Sequence, residues 1–335
     1  MKSLKSLIYL LFGGLQYIFT TRNSDEAHQA YVKLYSITNG FSSRLIHQIH
    51  KFLEILNIFK KRKINISDNL NLKDKIVFNE NLKSTLNIIN NDSYFKFSSL
   101  LNNEKCDSIL NFINNLNGYG NKDLKQITNL KDKKKDISYI NFHEEDLIKC
   151  PEIQELTLNK LFLSICRKYF GSEPILTNIG IAVSYPTQKP KTEYAQLYHF
   201  DLDRIKWLKF FVYLSDVNEK DGPHCYIKGT HKVFSKPYEL VKRGYKRLED
   251  KELFKYINKD YEQIMLGPKG TVFVGDSSAF HKGLNPIEKK RIMLQLEYSN
   301  SLFGSKYDKI KMSKFENYGL SKQELLKYKL FSRFY

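Results

Sequence analysis

The chain has 335 residues, 41% of them hydrophobic and 14% aromatic, so it can bury a sizeable core, and disorder over most of its length is excluded. Its formal net charge of +18 would suit a nucleic acid or an anionic surface. The basic runs "KKRK" (60–63) and "KDKKKD" (131–136) nevertheless lie in polar stretches without interleaved aromatics, and they read as solvated and compositional.

The first twenty residues, "MKSLKSLIYLLFGGLQYIFT", carry an apolar run from Leu7 to Phe19 that is short for a membrane span and holds Gly13, Gly14 and Gln16. No small-x-small cleavage site follows it. Leu4, Leu7, Ile8, Leu11, Leu15 and Ile18 recur at helical spacing. That stripe is expected to pack on this chain or on a sister chain, with peripheral membrane contact as the other reading. Ser24 then caps a second helix that stops at Gly40, and "FSSRLIHQIHKFLEILNIFKK" forms a third with Leu45, Ile46, Ile49, Phe52, Leu53 and Leu56 on one face. His47 and His50 stand three apart there, but no third ligand accompanies them, so they read as packing histidines. Residues 1–74 are thus expected to be a helical extension ending in an Asn- and Lys-rich linker.

From about residue 75 the texture changes. "SYFKFSSLL" alternates like a strand, "NNEKCDSILNFINNL" reads as a helix, and "PEIQELTLNKLFLSICRKYFG" reads as another, closed by Gly171. Short strands follow: "ILTNIGIAVSYP", "AQLYHFDLD", "WLKFFVYLSDV", "HCYIKG", "GTVFVGD" and "RIMLQLEYS", separated by turns such as "KDGP" and "GPKG". The expected fold class is mainly β with flanking helices, a β-sandwich or jelly roll over residues 75–303. Residues 304–335 return to polar, helix-like sequence. Cys106, Cys150, Cys166 and Cys225 are widely spaced, which argues against a disulfide framework or a thiolate zinc site and fits a reducing compartment.

In an extended segment, residues two apart share a face, so His199 and Asp201 of "YHFDLD" can aim an imidazole and a carboxylate at one point. A third ligand must come from farther along, and His224, His231 and His281 are the candidates. Ten residues after His281, Arg291 opens the strand "RIMLQLEYS", whose even positions Ile292, Leu294 and Leu296 are all apolar. Arg291 therefore lies on the opposite, mixed face, where a guanidinium beside the site could clamp a carboxylate bidentately. Two histidines and one carboxylate on a β-scaffold favour Fe(II) over structural zinc and leave positions open for a chelating cosubstrate and O₂.

The order His-x-Asp, some eighty residues, His, then Arg ten further on resembles the Fe(II)/2-oxoglutarate-dependent dioxygenases. Within them it looks like the phytanoyl-CoA dioxygenase family. "DVNEKDGPHCYIKGTHK" (216–232) is similar to the family stretch in which an acidic Gly turn precedes a strand and then Pro-Gly-Ser/Thr-His-Lys, with Lys228 where the proline would stand. The resemblance covers roughly residues 75–300. It implies a double-stranded β-helix (jelly roll, cupin-like) core with an α-helical N-terminal extension. It also implies His199, Asp201 and His281 as iron ligands, Arg291 on the distal carboxylate of 2-oxoglutarate, and Gln196 and His224 at the cosubstrate pocket.

The implied activity is oxidation, chiefly hydroxylation, of an unactivated C–H of a small-molecule or lipid/acyl-type metabolite in the cytoplasm or at a membrane surface. The retained Asp201 favours this over halogenation. His231 matches a family histidine that does not bind iron. One departure stands out: many members carry Ser or Thr two residues after the distal histidine to assist the arginine, and here that residue is Gly283. Tyr185 and Tyr198 are candidates for a substitute hydroxyl. Two rival readings are a nucleic-acid demethylase, against which "RIMLQLE" lacks the expected Arg-x-Asn-x-Thr-x-Arg, and a catalytically silent β-sandwich, against which the ligand set is complete.

Overall fold

A computed structural model describes residues 2–20, 22–56, 76–131, 136–188, 195–242 and 244–335. The linker after residue 56 and most of the two basic runs lie outside them. Three helices open the chain: α1 (Lys2–Thr20), α2 (Asp25–Thr38) and α3 (Phe41–Ile55). Ser24 caps α2 through its side chain, accepting from the Ala27 amide, while Asn39 and Gly40 turn the chain between α2 and α3 in the left-handed region.

The next helices are α4 (Leu82–Asp92) and α5 (Asn103–Ile113), followed by α6 (Pro151–Thr157) and α7 (Lys160–Phe170). The single helix expected over 151–171 is two. The Asn159 side chain accepts from the amides of Leu161 and Phe162, so it starts a new helix instead of continuing the old one.

Eleven strands follow the expected order, with several short additions: β1 (Tyr94–Lys96), β2 (Gly118–Gly120), β3 (Ile127–Thr128), β4 (Tyr139–Asn141), β5 (Ile175–Ser184), β6 (Trp207–Tyr213), β7 (His224–Ile227), β8 (Glu262–Met265), β9 (Val272–Gly275), β10 (His281–Gly283) and β11 (Arg291–Ser299). They form an eight-stranded sheet, β1-β9-β6-β11-β5-β4-β2-β3, and a three-stranded sheet, β10-β7-β8. The pairings are antiparallel. This is the mainly β, jelly-roll architecture with helices on one side.

The period-2 pattern of the central strands explains what lies where. Leu208, Phe210 and Val212 of β6, with Ile292, Leu294 and Leu296 of β11, face the helices and join Phe162, Cys166 and Phe170 of α7 in the main core. The Phe162 and Phe210 rings stack at 4.2 Å between centroids. The opposite face of the same strands carries Lys209, Phe211, Arg291, Met293 and Gln295, and it looks toward the small sheet across a cavity.

"AQLYHFDLD" is not a regular strand. Tyr198 and His199 make isolated bridges to Leu248 and His281, and the Asp201 amide donates to the Ser277 carbonyl at 2.7 Å. In the last thirty residues, Lys322–Leu325 is a four-residue helix flanked by 3₁₀ turns. Phe315, Leu330 and Phe331 from this stretch are buried in the main core.

Candidate metal centre

The structure brings His199, Asp201 and His281 together at one end of the cavity, with one donor atom from each lying within 4.8 Å of the others. Two backbone hydrogen bonds do this directly: the His199 amide donates to the His281 carbonyl at 3.0 Å, and the His281 amide returns one at 2.8 Å. Residues eighty apart in sequence thereby become cross-strand partners. His199 Nε2 lies 3.7 Å from Asp201 Oδ1, and His281 Nε2 lies 3.6 Å from Asp201 Oδ2. Metal–ligand bonds of about 2.0–2.2 Å place neighbouring donors about 3 Å apart, so the three donors would draw together around an ion.

Both imidazoles are oriented from behind. His199 Nδ1 lies 2.9 Å from the Leu197 carbonyl and His281 Nδ1 lies 3.0 Å from the Ala279 carbonyl, the same i−2 contact in each case. A carbonyl only accepts, so each Nδ1 carries the proton and each Nε2 lone pair faces the centre. Burial, with the neighbouring His281, pushes the His199 imidazole down to about 3. Burial also lowers His281. Both rings are therefore neutral near pH 7, as a metal ligand requires. Burial pushes the Asp201 carboxyl up, but the Lys209 ammonium and then the two imidazoles outweigh it and hold the group well below the usual carboxylate range.

Lys209 went unrecognised in the sequence. Its ammonium sits 2.6 Å from Asp201 Oδ2 and 3.5 Å from Glu297, nearly buried between the two acids. It occupies the third position of an almost wholly apolar strand, so only the register Lys209↔Glu297 between β6 and β11 reveals that it faces the site.

Arg291 is buried and lines the same cavity. It donates through Nη1 to the Gly222 carbonyl and reaches the Ser184 hydroxyl from Nη2 at 3.4 Å. Its Nε has no partner, and among the described residues no carboxylate lies within ion-pairing distance. Gly283 lies beneath it: a Cβ there would stand 3.1 Å from both Nη1 and Nη2. A side chain in place of Gly283 would crowd the guanidinium, which would have to give by a few tenths of an ångström. The hydroxyl near the arginine belongs to Ser184, its register partner across β5 and β11. Tyr198 instead donates to Glu262.

His224 lines the cavity with Nε2 buried and unpartnered, and its ring lies 5.5 Å from that of His281. Gln196 is buried, but Ala195 rather than Gln196 lines the cavity. The other singled-out residues lie elsewhere. His231 and Trp207 line a second cavity of about 560 Å³ under the N-terminal helices, and the Trp207 indole donates to Ser277 at 2.7 Å. Asn300 stands 3.3 Å and 3.4 Å from the Nδ1 atoms of His47 and His50, which places those rings in helix packing.

The donor set, the anchored tautomers and a buried guanidinium without a carboxylate fit a facial metal triad beside an anion site. The cavity is about 350 Å³. Its lining includes the hydrogen-bonding side chains of Tyr119, Tyr139, Asn141, Asn178, Arg247 and Gln295, beside apolar ones such as Phe142, Ile179, Phe211 and Met293.

No protein-family model and no curated protein matches the chain. Among solved structures it is similar to HygX from Streptomyces hygroscopicus with nickel and 2-oxoglutarate bound, at 15% identity and TM-score 0.48, over 71% of this chain and 93% of that one. It is similar also to SnoN, a non-heme alpha ketoglutarate dependent epimerase from nogalamycin biosynthesis, at 12% identity and TM-score 0.46, over 65% and 83%. EctD from S. alaskensis in its apoform matches at 14% identity and TM-score 0.45, over 72% and 83%. At this level of likeness neither a shared reaction nor a shared substrate follows.

Proposed function

We propose that the protein is an Fe(II)/2-oxoglutarate-dependent oxygenase of the kind its motifs resemble, acting on a polar small molecule. The observation that carries this is the pairing of a His-Asp-His triad, both imidazoles fixed with Nε2 inward, with a buried guanidinium that has no carboxylate of its own. A ferrous ion held by His199, Asp201 and His281, with 2-oxoglutarate and O₂, would supply the oxidising chemistry.

The chain's own residues do the rest. Lys209 donates to Asp201 Oδ2, and so would hold the carboxylate in place toward an ion between the imidazoles. Arg291 brings a buried, unpartnered Nε to a carboxylate arriving in the cavity, while its Nη atoms are held by Gly222 and Ser184. His224 has a free Nε2 in the same cavity, where the neutral ring can meet one more polar atom. The tyrosine, asparagine, glutamine and arginine side chains in the lining support a substrate that hydrogen-bonds.

Anaerobic titration of the purified chain with Fe(II) and then 2-oxoglutarate tests the reading. A weak visible charge-transfer band is expected for the native protein and should be lost in His199→Ala and His281→Ala. In Arg291→Gln the band should form only at roughly tenfold or more higher 2-oxoglutarate, with metal affinity unchanged. A native protein that binds neither metal nor cosubstrate would overturn the assignment. Product mass then separates hydroxylation, which adds one oxygen, from desaturation or ring closure, which remove two hydrogens.

A further inference from the structure

The N-terminal helix packs inside out. Ser6, Gly13 and Tyr17 are the buried positions of α1, one narrow stripe of small and polar residues. A Cβ on Gly13 would stand 2.1 Å from the Ala27 Cβ, so α1 and α2 touch almost backbone to backbone. The Tyr17 hydroxyl accepts the Leu302 amide at 2.8 Å and ties the helix to the β-domain. The apolar stripe does not pack on this chain but faces outward. Leu4, Ile8, Leu11, Phe12, Leu15 and Phe19 are between 44% and 69% exposed. On α3, Leu45, Ile49, Phe52 and Leu56 form a second exposed stripe at helical spacing, each at least half bare. Large exposed apolar area of this kind marks a contact site.

Charge says what the contact is. Residues 2–56 hold six Lys and Arg against three Asp and Glu. Two of those acids are already neutralised by the C-terminal segment, Asp25 by Lys306 and Glu54 by Lys329. Lys5, Arg22, Lys33 and Arg44 remain exposed among the apolar positions. A second copy would bring two such basic elements together across an apolar seam, where repulsion is least screened. An anionic bilayer satisfies both features at once, burying the stripes and neutralising the cations. No described helix is long and apolar enough to cross a membrane, so α1 would lie in the interface.

We propose that α1 and α3 dock this protein on the surface of an anionic membrane. The proposal rests on exposure and charge alone and stands apart from the metal chemistry. The test is co-sedimentation of the full chain with phosphatidylcholine vesicles, with and without phosphatidylserine. Binding is expected to the anionic vesicles, to weaken with added salt, and to fall roughly tenfold or more in L11E/F12E, whose positions face solvent. The variant should keep the native melting temperature and cosubstrate turnover. No binding to anionic vesicles, or binding that L11E/F12E leaves unchanged, would overturn the proposal. So would a concentration-dependent dimer in sedimentation velocity that the same variant abolishes, because a second copy would then be the occupant.

Discussion

Lys209 changes what the aspartate of the triad is. Without a metal, Asp201 and Glu297 are two buried acids held together by one ammonium. A divalent ion added between the imidazoles takes over part of that ammonium's work. Lys209→Met should therefore lower the melting temperature of the metal-free protein substantially, since an uncompensated buried charge costs about 3–5 kcal/mol. Manganese should restore much of the loss, so its stabilisation is larger in the variant than in the native protein. Melting curves with and without Mn(II) decide it, and equal losses in both states would contradict the role assigned to Lys209. At this scale the candidate ligands and the arginine beside them were legible as a group, because His199, Asp201, His281 and Arg291 stand in a spaced order that chance rarely makes. Lys209 and Ser184 were not, because each is read only through a strand register, and a lysine inside "WLKFFVYL" carries no local mark of the face it takes.

Among the elements, α1 shows what an amphipathic pattern does and does not say. Periodicity tells which side chains share a face, here Leu4, Ile8, Leu11 and Leu15, but not whether protein or solvent lies opposite. The deciding signal was the other face: Gly13, between Ser6 and Tyr17, permits a close approach to α2 that a leucine would prevent. Gly13→Leu should therefore pry α1 from α2, with an overpacking cost of about 1–3 kcal/mol confined to this pair. Hydrogen exchange in α1 should rise sharply while β6 and β11 keep their protection. Unchanged exchange in α1 would show that the contact through Gly13 does not hold the helix. The split of 151–171 into α6 and α7 has the same origin, for a capping Asn159 is invisible to a hydrophobic count that runs straight through it.

Across the whole molecule, one buried lysine joins the helical extension to the strands that carry the ligands. Lys236 donates to the Tyr35 hydroxyl of α2 at 2.9 Å and to the Thr230 carbonyl at 2.5 Å. It also lies 5.0 Å from the ring of Phe200, which stands between His199 and Asp201, and 5.7 Å from that of Phe280, which precedes His281. Burial pulls its ammonium down to about 7, against a weaker opposing pull from Asp276. In the unfolded chain the same group titrates near ~10.4. Between these values the unfolded chain holds a proton that the folded chain lacks, so folding is penalised in that window and stability rises with pH. Below about 7 both states are protonated and the penalty is constant. The difference in unfolding free energy between native protein and Lys236→Met should shift toward the native protein as pH rises from neutral, by at most about 1.4 kcal/mol per pH unit. Denaturant titrations of both proteins at pH ~7 and ~9 read this slope directly. Parallel behaviour of the two proteins would mean that Lys236 keeps its charge when buried, held by the Tyr35, Phe200 and Phe280 rings as a cation and not as an amine.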